Sequence, residues 1–252
     1  MKTTAPQLFR RTLELVTIGA LLAVLTLPGT ARAASEPWPE IPMPPKADVQ
    51  WIATSMRVNG IPTRIMRFQS HVSRAEIISY YRAYWTGAYE HKPSISALGD
   101  ATVVGQTHGP YLMTVKVEDA PKSGSHGLIS VALVIGSKLD HDPGQLPMLP
   151  GAHVISVVES DDPGKHSRQL LILAPQAPTS ALEFYSDSLL NSGWAQVQST
   201  EARQGAGPAG GVFVAFAHDD SEMQLSIVGT ARGRGTTILA NLVTKDTGRD
   251  GD

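Results

Sequence analysis

Apolar and polar positions alternate along several short stretches of this chain, and each alternating stretch returns roughly a hundred positions later. Met66 and Phe68 lie two apart in one run, and Leu170 and Ile172 repeat that spacing. Met113, Val115 and Val117 are matched by Met223, Leu225 and Ile227. Period-two alternation is the signature of a strand with one buried face. It predicts strands near Val49–Ala53 and Val154–Val158, and through the Met66/Phe68 and Leu170/Ile172 pairs. Three more are predicted in each half, over Thr102–Gln106, Tyr111–Val117 and Leu128–Ile135, then over Val212–Phe216, Ser221–Ile227 and Thr236–Val243. Asn59-Gly60-Ile61-Pro62 and Asp161-Asp162-Pro163-Gly164 have the composition of hairpin turns between the first two strands of each half.

The period changes once in each half. Ile77, Ile78, Tyr80, Tyr81 and Trp85 fall at helical spacing, and Ala181, Leu182, Phe184, Tyr185 and Leu189 match them. Ser73-Arg74-Ala75-Glu76 is a capping box: the serine and glutamate side chains satisfy backbone N–H groups that a helix start leaves without partners. Val72 and Ile77 have the spacing of a hydrophobic staple. Pro178 after Ala177 suits the first turn of the second helix. Gly193 is a good C-terminal stop, and Gly87 is the expected stop in the first half.

The two halves also begin alike. Ile41-Pro42-Met43-Pro44-Pro45-Lys46-Ala47-Asp48-Val49 returns as Leu146-Pro147-Met148-Leu149-Pro150-Gly151-Ala152-His153-Val154. A proline-rich lead of this kind reads as an extended linker when it occurs once. Its recurrence makes it part of a duplicated module. The expectation is therefore an α+β fold: two tandem β-β-α-β-β-β modules, each an antiparallel sheet with one helix on a face, related as a pseudo-twofold pair. The boundaries read 1–33 for an export signal, 34–137 for the first module, 138–145 for a linker, 146–244 for the second module and 245–252 for a flexible tail.

The export signal rests on Lys2, Arg10 and Arg11, followed by the apolar run Leu15 to Leu27 and an Ala31-Arg32-Ala33 cleavage pattern. The apolar run is short for a spanning helix, which needs about 20 residues. Removing 33 of the 252 residues leaves 219, enough for two small cores. Of 21 basic residues four leave with the signal, and of 23 acidic residues one does, so the remainder carries a net charge of −5. That balance argues against a nucleic-acid or anionic-membrane binder. The chain has no cysteine, which excludes disulfides, thiolate metal sites, cysteine nucleophiles and lipoprotein attachment. The expected location is the periplasm or outside the cell.

Pro150-Gly151-Ala152, the helical Phe184-Tyr185 pair and Gly193-Trp194 together resemble a module of exported bacterial proteins of unknown function. The first half departs from that pattern, with Lys46 in place of the glycine and no Gly-Trp pair. The resemblance implies a fold and an envelope location, and brings no catalytic residues with it.

Several segments invite chemistry. Gly205-Ala206-Gly207-Pro208-Ala209-Gly210 matches a dinucleotide-binding expression, but a strand-forming run follows where the chemistry needs a helix N-terminus. Asp140-His141-Asp142, with His153 and His166 beyond, has no helical spacing that would preorganise a metal site, and His218-Asp219-Asp220 reads as a hairpin tip. Ser123-Gly124-Ser125-His126-Gly127 puts serine beside histidine without the elbow that a hydrolase nucleophile needs. Arg232 and Arg234 sit in a glycine-rich turn sequence. No catalytic, cofactor or metal residue is assigned on these patterns.

The strongest binding candidate is the aromatic run on the first helix. Tyr81 and Trp85, four apart, suit the core face, so Tyr80, Tyr84 and Tyr89 are in excess of what that face needs. Tyrosine suits interfaces, having a large apolar body and a polar tip. The second module has Phe184 and Ser188 at the corresponding places. The sequence therefore points to a non-enzymatic exported accessory or adaptor protein that works through contact with an envelope protein partner. The alternative is a small-ligand or lipid-binding module using a groove between the repeats.

Overall fold

The computed structural model describes residues 38–202, 211–230 and 235–245. The expected export signal, the glycine run 205–210, Arg232, Arg234 and the chain beyond 245 lie outside the described residues. In chain order the elements are β1 (Ala47–Val58), β2 (Ile61–Ser70), α1 (Arg74–Ala88), β3 (Ser94–Leu98), β4 (Ala101–His108), β5 (Tyr111–Asp119) and β6 (Ser125–Leu133). They continue with β7 (His153–Asp162), β8 (Lys165–Ala174), α2 (Pro178–Asn191), β9 (Ala195–Ala202), β10 (Gly211–His218), β11 (Ser221–Gly229) and β12 (Thr236–Lys245). No helix among the described residues is long and apolar enough to cross a membrane.

The chain forms two compact units. Among the described residues one holds 38–56 and 61–138, and the other holds 57–60 and 139–245. In the first, the strands lie in the order β3-β4-β5-β6-β2-β1; in the second, the order is β9-β10-β11-β12-β8-β7. The two orders are equivalent position by position, and the ladders β3–β4–β5–β6–β2 and β9–β10–β11–β12–β8–β7 are antiparallel throughout.

The α+β assignment, with β-β-α-β-β-β modules in a pseudo-twofold pair, is corrected here. Strand accounts for 55% of the described residues and helix for 15%, so the fold is mainly antiparallel β. The order within each unit is β-β-α-β-β-β-β. The strands that sequence reading left out are β3 and β9, each directly after a helix. Both are edge strands, and β3 is exposed at Ser94, Ile95, Ser96 and Ala97, on both of its faces. A strand exposed on both faces has no buried side to impose alternation, so it leaves no periodic mark in the sequence.

In the first unit Ile77, Tyr81 and Trp85 of α1 enter an apolar cluster with Met66, Phe68, Val104, Met113, Val115 and Ile129. In the second, Ala181, Tyr185 and Leu189 of α2 join Leu170, Ile172, Val214, Phe216, Leu225 and Ile238. Both proline-rich leads belong to these cores. Ile41 is buried in the first cluster, and Leu146 and Leu149 in the second. The Tyr81 hydroxyl donates to the Pro42 carbonyl at 2.7 Å, and the Ser70 hydroxyl to the Pro45 carbonyl at 2.7 Å. A lead without N–H groups at its prolines cannot join a ladder, but its carbonyls remain good acceptors.

The turn between β1 and β2 is Asn59-Gly60, both residues having positive φ (51° and 79°). This is the left-handed pair that a two-residue hairpin of matching twist requires. Asn59 is buried, and its N–H, carbonyl and side-chain oxygen are all bonded within its unit. Its N–H donates to Val157 O (2.7 Å), its side-chain oxygen accepts from Val157 N–H (2.8 Å), and its carbonyl accepts from Asp140 N–H (2.9 Å).

Candidate partner surface

Helix α1 starts where the capping box places it. The Ser73 hydroxyl oxygen accepts from Glu76 N–H at 3.3 Å, and the Glu76 carboxylate accepts from Ser73 N–H at 2.9 Å. These bonds hold the Glu76 carboxyl below the usual carboxylate range, the backbone N–H of Ser73 acting most strongly. The helix ends at Ala88 with Tyr89 as its cap, so Gly87 lies inside the helix and is not its stop. In α2, by contrast, Gly193 follows the Ser192 cap with φ 87°, and Trp194 N–H donates back to Leu189 O at 3.0 Å.

The stripe Ile77, Tyr81, Trp85 is fully buried. One residue back along each turn, Tyr80 and Tyr84 occupy the flank of that stripe. Their rings stack at 6.4 Å between centroids with 26° between planes. Tyr80 also meets Tyr81 edge-on at 5.1 Å, which ties the pair to the core. Tyr80 is half-buried, and Tyr84 is 45% exposed. Tyr89 behaves differently. Its backbone is extended, its ring lies 5.1 Å from that of His108, and its hydroxyl donates to the Met113 sulfur at 3.9 Å. Burial raises the Tyr89 phenol above its ordinary value, and the nearby Tyr84 adds to this. Burial pushes Tyr81 higher still, with Tyr80 contributing. Both therefore stay protonated donors at neutral pH.

The corresponding part of α2 shares the inner packing and lacks the outer ring. Phe184 meets Tyr185 edge-on at 5.3 Å, as Tyr80 meets Tyr81, but Ser188 stands where Tyr84 does. The exposed Tyr84 ring thus has no counterpart on α2. His108 was absent from the sequence-based candidates. It closes β4 before the Gly109-Pro110 turn, opposite Tyr111, and its ring lies beside that of Tyr89.

The other candidate segments resolve into local structure. Asp140 and Asp142 accept from the N–H groups of Asp142 (2.8 Å) and Gly144 (3.0 Å), so their carboxylates close the turns of their own loop. His166 pairs with Asp161 at 2.7 Å across the β7–β8 hairpin. His218 lies 3.5 Å from Asp219 and stacks near Trp194. Ser125 is buried with its hydroxyl donated to Val72 O at 2.9 Å, whereas its neighbour His126 lies 3.4 Å from Glu118. Successive residues of a strand face opposite ways, which separates this serine from this histidine. Among the described residues no group of three or more His, Cys, Asp or Glu side chains is placed to hold a metal ion.

No family model matches the chain, and no curated protein matches it. Three solved structures are similar to it at a low level. One is the immunity protein TplEi of T6SS from Pseudomonas aeruginosa complexed with "L" peptide, at 12% identity over 83% of this chain and 85% of that one, with a TM-score of 0.26. Its apo structure gives 10% identity and a TM-score of 0.25 over the same shares. A conserved protein of unknown function with hot dog fold from Alicyclobacillus acidocaldarius gives 13% identity over 77% of this chain and 97% of that one, with a TM-score of 0.18. At these TM-scores none of the three carries an argument about this chain.

Proposed function

We propose that this protein is a non-enzymatic accessory protein of the cell envelope, exported to the periplasm or beyond, that binds another protein through the Tyr80–Tyr84 surface of α1. The observation that carries this reading is the exposed Tyr84 ring, stacked on Tyr80 and absent from the equivalent helix of the second unit. An aromatic side chain held rigid by a stacked neighbour loses little conformational entropy on contact, and tyrosine is enriched in interface anchors for that reason. The basic start, apolar run and Ala31-Arg32-Ala33 pattern of the N-terminal sequence support export.

The test is site-specific photo-crosslinking in the exporting cell. A crosslinker at position 84 is expected to give one discrete protein adduct that Tyr80→Lys abolishes, while a crosslinker at Ser188 gives none. Equal labelling from both positions, or labelling indifferent to Tyr80, would remove the α1 surface from consideration.

A further inference from the structure

The proline-rich lead of the first unit, residues 38–46, belongs to no strand or helix, yet its burial has a strict period of three. Ile41 and Pro44 are buried and Trp38 is half-buried on one side. Glu40, Met43 and Lys46 are exposed, and Pro39, Pro42 and Pro45 lie between. Three residues per turn is the repeat of the polyproline-II helix. A segment of that form has no internal hydrogen bonds, so its carbonyls are free for donors on whatever supports it.

The support matches that repeat. The Tyr81 hydroxyl donates to the Pro42 carbonyl and the Ser70 hydroxyl to the Pro45 carbonyl, two acceptors three residues apart and therefore on one side of the segment. Trp38 packs on Tyr111 with ring centroids 5.2 Å apart, and the Arg64 guanidinium lies 4.5 Å from the Trp38 ring centre. Aromatic rings lining a groove are how proline-rich segments are recognised, because a chain already in polyproline-II form loses little entropy on binding. The first lead is also held under strain. Lys46, where it joins β1, takes φ 50°, whereas the second lead makes its turn into β7 with Gly151 at φ 72°. A residue with a Cβ costs free energy in this left-handed region and glycine does not, so the junction opposes docking of the first lead and not of the second.

We infer that this cradle is a polyproline-II binding site, filled by the chain's own lead, and that a proline-rich segment of a partner protein takes the lead's position when the lead swings out at Lys46. The ligand class follows from the contacts that the lead makes. It is an apolar side chain at the Ile41 place, a proline at the Pro44 place, and two carbonyls three residues apart for the Tyr81 and Ser70 hydroxyls. The lead is thus both a part of the core and a competitor for the site. This site is separate from the Tyr84 surface and stands or falls without it.

Fluorescence anisotropy of a labelled peptide with the sequence of residues 38–46, titrated with the purified protein, tests it. The tethered lead competes at an effective concentration on the order of millimolar, so the parent should bind the peptide weakly. Ile41→Asp in the protein ejects the lead from its apolar place and should raise peptide affinity about tenfold or more, and the milder Ile41→Ala about threefold or more. Adding Tyr81→Phe to either variant should lower affinity about fivefold, through loss of one hydrogen bond. Lys46→Gly relieves the junction, holds the lead more firmly, and should lower affinity about threefold relative to the parent. Absence of binding to an Ile41 variant whose circular dichroism matches the parent's overturns the proposal, and Ile41→Ala decides where Ile41→Asp does not fold. Binding indifferent to Tyr81→Phe, or strengthened by Lys46→Gly, overturns it too. A reversible dimer that Ile41→Asp abolishes would put the lead of a second copy in the cradle and overturn the assignment to a partner protein.

Discussion

Glu76 shows how one side chain can set the pH response of an element. Its folded pKa lies below the ordinary value of 4.5, because the ionised carboxylate is held by the Ser73 N–H and hydroxyl. Glu118, beside Lys116 at 2.6 Å and His126 at 3.4 Å, is lowered too, the Lys116 bond acting most strongly. A carboxyl with a depressed folded pKa stabilises the native state above its unfolded pKa and loses that contribution as pH falls through the folded value. Stability is therefore expected to drop on acidification below about pH 4.5, and Glu76→Gln should reduce the slope of that drop. Urea midpoints between pH 3 and pH 6 measure it; identical slopes in the variant and the parent would show that the cap contributes nothing to the acid response. The capping box was legible in the sequence because it is a local device, complete within four residues. The pairing of Tyr89 with His108 was not, since no spacing rule links a helix cap to the end of a later strand.

At the scale of the element, the two helices differ in how they hold their leads. Tyr81 and Tyr185 occupy equivalent buried sites, yet the Tyr81 hydroxyl donates to the Pro42 carbonyl, while the Tyr185 hydroxyl meets no acceptor among the described residues. Burial pushes the Tyr185 phenol up to about 12. Tyr81→Phe is expected to cost about 1 kcal/mol, the usual net value of a hydrogen bond, plus any loosening of the lead. Tyr185→Phe should cost less. Thermal denaturation of the two variants gives the comparison, and equal losses would deny the Pro42 bond a role in holding the lead. The strands with one buried face were readable from alternation, whereas β3 and β9 were not, having polar or exposed side chains on both faces. Their omission is what made one helix per module look like half of an α+β unit. Gly87 misled for a related reason: glycine permits a helix stop, but Tyr89 N–H still reaches Trp85 O at 3.0 Å and carries the helix past it.

At the scale of the whole molecule, the two units have equivalent strand orders, and each carries one copy of the repeated lead. The turn 57–60 lies between β1 and β2 in the sequence but groups with the unit formed by 139–245, which no local pattern marks. Asn59→Ala would remove the acceptor of a buried N–H and place a side chain ill-suited to positive φ, at a combined cost of about 2–4 kcal/mol. Asn59→Gly keeps the conformation and loses only the acceptor, so it should recover about 1 kcal/mol of that. Chemical denaturation of both variants separates the two contributions; if glycine and alanine cost the same, backbone conformation at this turn is immaterial.

The Asn59 turn also sets a schedule. Its side chain accepts from a residue 98 positions further along the chain. A growing polypeptide presents β1, its turn and β2 early, and the groups that satisfy Asn59 only after most of the first unit has been made. During that interval Asn59 lacks the partners it has in the finished fold, and the second unit includes a short segment produced long before the rest of it. The order of synthesis and the order of assembly therefore run out of step at this turn, whose bonds wait for the arrival of Val157.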